Sequence, residues 1–384
     1  MKPPKNIHVF VLIDALGWTL VSDGTFLAEA LPYRQPLRTL LGFSSGVIPS
    51  ILTGLSPAQS GIWNLVYYDP DGSPFRALRY FSFVPDWLLD NRVGRRLMTE
   101  LGRRILGLGR GFDCCVPPRV LPWFNWAEKK NIYQAGGLGT THSIFDQLSQ
   151  AGIPYRVYSY KQAMSDAQIL RRAESDVERD EARFFFVYLC ELDMFQHTHC
   201  NQPAKIAEKL AWYEQALGRL FTAARQRDPE ARLFVFSDHG MTPVRHHYDL
   251  AAAVADCGLR MPQDYLAVYD STMARFWFFS EQARATILER LRQVPCGRLL
   301  PDGELQELGV FFSDRRYGEA ILLMDPGCLI AASGFNGNGW KPSGMHGYHP
   351  DDAHSDAVFL ANCKPEIPPA TVQDIYRYMR EAVS

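Results

Sequence analysis

Six side chains in this sequence have the types and placement to hold divalent metal: Asp14, Asp193, His197, Asp238, His239 and His346. Asp14 closes the apolar run HVFVLID, Asp193 and His197 follow FFFVYLC, and Asp238 and His239 follow RLFVFS. His346 stands in GMHGY, shortly before AVFLAN. Singly, each has a plain reading. An Asp after a strand commonly caps a helix, an Asp and a His four residues apart share one helical face as a surface pair would, and Asp238-His239 suits a turn. As a set they say more. Five carboxylate or imidazole groups directly follow three strand-like runs, and the sixth precedes another. Mixed oxygen and nitrogen donors suit zinc, which keeps an open position for substrate at catalytic sites. Six such ligands make two three-ligand sites, and a hydroxyl can complete one of them. Two metals a few ångströms apart clamp the attacking and leaving oxygens of an in-line displacement at phosphorus. Zinc is the expected metal, with manganese or magnesium as alternatives.

These residues need elements to position them. Residues 8–14, 155–160, 184–193, 232–238 and 357–362 are short β-branched or aromatic runs that read as buried strands. Between them, 141–152, ending on Gly152, and 203–227 carry apolar residues at three- and four-residue spacing, and 371–383 reads as a last helix. Near-continuous apolar strands alternating with helices predict an α/β fold: a mostly parallel, doubly wound sheet with helices on both faces. Chemistry in such sheets gathers at the carboxyl ends of the strands, where the five residues fall. Two regions break the alternation. Residues 65–135 are rich in Pro, Trp, Arg and Gly and read as a cap insertion, and 250–340 hold a second strand–helix set, a smaller α+β subdomain. The whole, 1–384, is read as one catalytic domain.

The ordered set DALGW, ILTGLSPAQSGIW, ELDMFQH, SDHGM and GMHGY with AVFLA resembles the alkaline phosphatase superfamily. Its type I phosphodiesterase and nucleotide pyrophosphatase branch is the nearest, and the likeness runs from residue 14 to about 361. The resemblance implies one zinc held by Asp193, His197 and His346, and another held by Asp14, Asp238 and His239 together with the nucleophile. Counting nine residues back from Thr53 of the TG pair, it places the nucleophile at Ser44, with Ser45 as the alternative one residue on. The chemistry asks for a hydroxyl at a helix N-terminus, where metal lowers its pKa and the dipole favours phosphate; Ser44 meets this if a helix begins near Gly46. The branch also carries a phosphate-binding Asn before a YDP-like stretch. Asn64 in IWNLVYYDP is one position out of that spacing, so it either contacts the phosphoryl oxygen or caps a turn. Ser60-Gly61 stands where the family has His-Gly, at no cost in ligands. His199, His246, His247, His349 and His354 fill no expected ligand role.

Composition excludes some classes. A formal net charge of −2 gives no field for nucleic-acid duplexes, and no apolar run is long enough to span a bilayer. The N-terminus lacks a separate leader-like apolar region, which predicts that Asp14 is retained. Eight scattered cysteines without a CxxC pair read as a reduced set, and the expected location is cytoplasmic. The expected partner is a small phosphate ester, nucleotide-, sugar- or lipid-linked. Residues 84–111 mix six arginines with Trp, Leu, Ile and Met, fitting either a cap helix over the active-site mouth or a peripheral membrane contact. A phosphomonoesterase or phosphomutase on the same site is the second functional reading. A membrane-surface or partner-binding protein with a vestigial site is the third.

Overall fold

The computed structural model describes residues 5–81, 90–108, 116–334 and 340–383. Its centre is a six-stranded sheet: β1 (His8–Ile13), β2 (Tyr33–Leu37), β3 (Tyr155–Tyr158), β4 (Phe184–Leu189), β5 (Arg232–Phe236) and β6 (Ala357–Ala361). The order is β2-β6-β5-β1-β4-β3. β1 pairs parallel with β4 and β5, β4 parallel with β3, and β6 runs antiparallel to both β5 and β2. β2, with Pro36 inside it, occupies an edge, where a residue without N–H is tolerated.

Both faces of β1 are buried. Val9, Val11 and Ile13 pack with helices Asp166–Arg179 and Pro203–Arg227 on one side. Phe10 and Leu12 pack with Ser44–Thr53, Ile144–Gln150 and Ile375–Glu381 on the other. Each such side chain contributes about 1.5–3 kcal/mol by leaving water, and the alternation fixes the register of the strand that ends at Asp14.

Several predicted bounds move for local reasons. The helix expected from 141 starts at Ile144 because Ser143 caps it, its side chain accepting the Asp146 N–H while Asp146 accepts that of Ser143. The 371–383 stretch divides into a 3₁₀ turn, Val372–Asp374, and helix Ile375–Glu381. The strand expected through 193 stops at Leu189, and Asp193 lies on helix Glu191–His199.

The insertion is tied at its base, where Val66–Tyr68 pairs antiparallel with Phe124–Trp126. Within it, helix Arg92–Arg104 is the described part of the amphipathic segment; residues 84–89 and 109–111 lie outside the described residues. Region 250–340 forms a four-stranded antiparallel sheet of Tyr265–Tyr269, Met273–Phe278, Ala320–Met324 and Gly297–Leu299, with helix Glu281–Arg292. Insertion and small sheet share one apolar cluster, including Val66, Met98, Phe124, Trp126, Val268 and Trp277. One cysteine reading is corrected: Cys296 and Cys328 are joined in a disulfide, which brings the ends of two short strands of this region together. Among the described residues, Cys190, Cys200, Cys257 and Cys363 are free.

Candidate metal centre and active site

The carboxyl ends of β1, β4 and β5 converge on one site. Asp14 is the first residue past β1, Asp193 and His197 sit on the helix that follows β4, and Asp238 and His239 follow β5. His346 arrives by a different route. The short pair Gly344–Met345 aligns antiparallel with Thr242–Pro243, laying the His346 loop beside the His239 loop. Two close backbone approaches make this possible. A Cβ on Gly17 would lie 2.8 Å from Gly240 Cα, so DALGW and SDHGM can touch only through glycines. A Cβ on Gly46 would lie 2.0 Å from the Trp63 carbonyl oxygen, so this glycine lets the segment carrying Asn64 rest on the helix carrying Ser44.

The side chains then crowd. His239 Nε2 lies 3.3 Å from Asp238 Oδ2, 3.4 Å from Asp14 Oδ1 and 3.0 Å from Ser44 Oγ. His197 Nε2 lies 3.3 Å from Asp193 Oδ2, and His346 Nε2 lies 3.5 Å from Asp193 Oδ1. The rings of His239 and His346 stack with centroids 3.8 Å apart. Two compact groups of ligand atoms result, Asp14–Asp238–His239 and Asp193–His239–His346. The first is the trio the resemblance implies. The second has His239 where the resemblance puts His197, which approaches through Asp193. The other histidines noted in the sequence, His199, His246, His247, His349 and His354, join neither group.

The residues fit metal. Atoms bonded at about 2.0–2.1 Å to one tetrahedral zinc lie about 3.3–3.4 Å from each other, which is the spacing around His239. Among the described residues, Asp14 Oδ1, Asp238 Oδ2, Asp193 Oδ1 and His346 Nδ1 are buried without a hydrogen-bond partner, a costly state that a cation relieves. Burial, then the neighbouring Asp238 and Asp193 carboxylates, push Asp14 well above the usual carboxylate range. Burial pushes Asp193 the same way, but His197, His346 and His239 outweigh it and hold that carboxyl well below the range. Outer bonds fix the orientations. His197 Nδ1 lies 2.9 Å from the Gly344 carbonyl and His239 Nδ1 2.9 Å from that of Gly240, which turns both Nε2 atoms to the site. The Tyr188 hydroxyl donates to Asp14 Oδ2, leaving Oδ1 towards His239.

Ser44 is the first residue of helix Ser44–Thr53, whose N-cap, Phe43, supplies no side-chain cap. The helix thus begins two residues before Gly46, and its first N–H groups lack intrahelical acceptors. Ser44, Ser45 and Asn64 line one cleft of about 530 Å³ together with Asp193, His197 and His346. Asn64 is buried, and its Nδ2 lies 3.8 Å from Met273 Sδ, a weak acceptor. The insertion and the small sheet wall the cleft with Leu108, Trp126, Glu128, Val268 and Asp270. Lys161, which follows strand Tyr155–Tyr158 and also lines the cleft, lies 3.2 Å from Glu128.

Sequence reasoning missed residues that hold this arrangement. Asp166 is buried; its Oδ1 accepts the Cys190 N–H at 3.1 Å and its Oδ2 the Glu191 N–H at 3.0 Å. Glu191 accepts the Asp166 N–H in return at 3.0 Å. Each acid caps the other's helix across space, and one of those helices carries Asp193 and His197. No role for Asp166 is read from the sequence, and nothing local links it to Glu191. Asp166→Asn exchanges an acceptor for a donor, leaving a buried N–H unmatched at a cost of about 1–3 kcal/mol. Metal affinity is expected to fall about 10–100-fold, read by titration against a chromophoric chelator. Unchanged affinity with lowered stability would make Asp166 a purely structural cap.

A family model for type I phosphodiesterases and nucleotide pyrophosphatases matches residues 47–349. No curated protein sequence matches the chain. Among solved structures, human ectonucleotide pyrophosphatase/phosphodiesterase 5 is similar at a TM-score of 0.68 and 14% identity, covering 98% of this chain and 95% of that one. An inactive form of the murine protein in complex with AMP gives 0.69 and 15%, covering 99% and 95%. Phosphonoacetate hydrolase from Sinorhizobium meliloti, in complex with phosphonoacetate, gives 0.65 and 14%, covering 99% and 96%. With the model spanning most of its length, the chain belongs to the type I phosphodiesterase/nucleotide pyrophosphatase family of the alkaline phosphatase superfamily, a family of phosphoester hydrolases.

Proposed function

We propose that the chain cleaves phosphodiester or pyrophosphate bonds through a phosphoseryl intermediate on Ser44, at a site holding two zinc ions. The observation that carries this reading is Ser44 Oγ at a helix N-terminus, 3.0 Å from His239 Nε2 in the ligand cluster. Asp14, Asp238 and His239 would hold one ion beside Ser44, and Asp193, His197 and His346 the other. When bound, the ions supply positive charge to the attacking and leaving oxygens.

Ser44 Oγ attacks phosphorus in line, and the helix N–H groups and dipole face the incoming phosphoryl oxygens. Asn64 Nδ2 donates to a non-bridging oxygen. The P–O bond to the leaving group breaks on the side of Asp193; Ser44 Oγ gives up its proton to solvent on attack, and the leaving oxygen takes one up from solvent as it departs. Water then attacks the phosphoserine from that same side, freeing Ser44. Two inversions give net retention at phosphorus.

The lining charge favours a diester over a monoester. A monoester carries an extra negative charge, and Lys161, the lining lysine, is already matched by Glu128. Zinc-loaded enzyme is therefore expected to hydrolyse bis-p-nitrophenyl phosphate at least about tenfold faster, by kcat/KM, than p-nitrophenyl phosphate, a difference of about 1.4 kcal/mol. Chelation should abolish both activities. A preference for the monoester would transfer the proposal to the phosphomonoesterase reading. A nucleotide-type substrate arm is proposed by analogy with the relative solved with AMP.

Peripheral membrane contact through 84–111 is proposed on one observation. Helix Arg92–Arg104 and the residue after it expose Val93, Leu97 and Ile105 beside the largely exposed Arg104. Cosedimentation with anionic, but not neutral, vesicles is the expected result; equal recovery with both, or with neither, would remove it.

A further inference from the structure

Arg275, in strand Met273–Phe278, has none of its surface exposed. A buried guanidinium is tolerated only where its donors are matched. Nε donates to Asp270 Oδ2 at 2.9 Å and Nη1 to the Val66 carbonyl at 2.8 Å, while the Trp277 and Tyr317 ring centroids lie 5.9 and 6.0 Å from the guanidinium carbon. Asp270 is different. Its side chain is 25% exposed, it lines the cleft that holds Ser44, and Oδ1 has no protein partner among the described residues.

The segment after Asp270 reaches the reaction site. Thr272 Oγ1 donates to the Gly347 and His346 carbonyls at 2.9 and 3.3 Å, and Met273 Sδ meets Asn64 Nδ2. Asp270 opens the turn that joins strands Tyr265–Tyr269 and Met273–Phe278, two residues before Thr272 and three before Met273, the groups touching His346 and Asn64. The cleft of about 530 Å³ lined by Asp270, Ser44, Asn64 and His346 has room for a phosphoryl group and the first few atoms of the organic arm esterified to it. Asp270 and Arg275 cancel in charge, so the pair presents an acceptor without a net field. Such a group selects a neutral O–H donor rather than a cation.

We infer that Asp270, pinned by Arg275, is a specificity-determining acceptor for a hydroxyl on the substrate's organic arm, so that the favoured diesters carry a polyol or sugar. The inference rests on the phosphodiesterase reading above. It deepens that reading by naming the arm.

Three p-nitrophenyl phosphodiesters test it, their second arm being 2,3-dihydroxypropyl, propyl or choline. Zinc-loaded wild type is expected to favour dihydroxypropyl over propyl at least about tenfold in kcat/KM. In Asp270→Asn that ratio should fall towards one, because an amide keeps an acceptor for Arg275 and turns a donor to the cleft. Asp270→Glu, which keeps the ion pair but moves the acceptor, should also lose the preference, and it serves if the Asn variant does not fold. A purely structural Asp270 would alter stability and leave the ratio intact, overturning the inference. A wild-type ratio near one, or a choline arm preferred to dihydroxypropyl, would also overturn it. Both outcomes leave the diesterase reading standing, whereas cleavage of none of the three diesters would sink both.

Discussion

Ser44→Ala is expected to lower diester hydrolysis by about three orders of magnitude or more while leaving bound metal in place. The magnitude follows from the role, since removing a covalent nucleophile forfeits the route that divides one difficult displacement into two easier ones. Geometry argues that the metal stays. His239 Nε2 lies 3.4 Å from Asp14 and 3.3 Å from Asp238 without Ser44, so three candidate protein ligands remain. The neighbouring hydroxyl is the control. Ser45 lines the same cleft, yet the hydroxyl 3.0 Å from His239 Nε2 is that of Ser44. Ser45→Ala should therefore retain activity within a few-fold. Steady-state kinetics with metal analysis on both variants decides the matter. If Ser45→Ala is the silent enzyme, the register of the nucleophile is one residue out. If both variants stay active, the phosphoseryl route is wrong whatever the metals do.

Much of the sheet was legible in the sequence because its strands are buried on both faces. Runs such as HVFVLI and FFFVYL, with every residue but His8 inside, have no other stable placement in a chain with so many helices around them. The positions of Asp14, Asp238 and His239 followed, because a polar residue closing such a run must emerge at a strand end. The edge was harder to see. β2 contains Pro36 and is only partly buried, so it lacks the pattern that marks a central strand. The antiparallel direction of β6 depends on the chain's route through the 250–340 region, and apolar periodicity carries no information on direction.

The candidate cluster was legible for a related reason and incomplete for another. Candidate metal ligands declare themselves by type, whereas residues that would orient them look like ordinary structure. Tyr188 sits within an apolar strand, and only its bond to Asp14 distinguishes it. Asp166 and Glu191 are 25 residues apart and meet because two helices start side by side. Asp270 and Arg275 read as a charged interruption of a strand pair until the insertion closes over them and places Asp270 on the cleft. Each case is a pairing made by tertiary contact between segments whose local patterns are complete without it.

His239→Ala carries the largest expected effect on metal content. His239 is the residue common to both compact ligand groups, and its Nε2 lies within 3.4 Å of Asp14, Asp238 and Ser44. Removing it leaves Asp14 and Asp238 as buried carboxylates near each other with two ligand atoms instead of three. Two carboxylates hold zinc far more weakly than a three-ligand site. Wild type is expected to bind about two zinc ions per chain and the variant at most one, with kcat down by about 10³-fold or more. Stability should report the same loss. Zinc at a thousandfold excess over its dissociation constant stabilises the native state by about 4 kcal/mol per site, so thermal unfolding of wild type should shift upward with zinc and that of the variant by much less. The zinc-induced shift should also shrink as pH falls, because protons compete for carboxylates and imidazoles that must be bare to bind metal. Measured zinc content equal to wild type in His239→Ala would mean that Asp193, His197 and His346, with Asp14 and Asp238, suffice without it, and the assignment of His239 would be wrong.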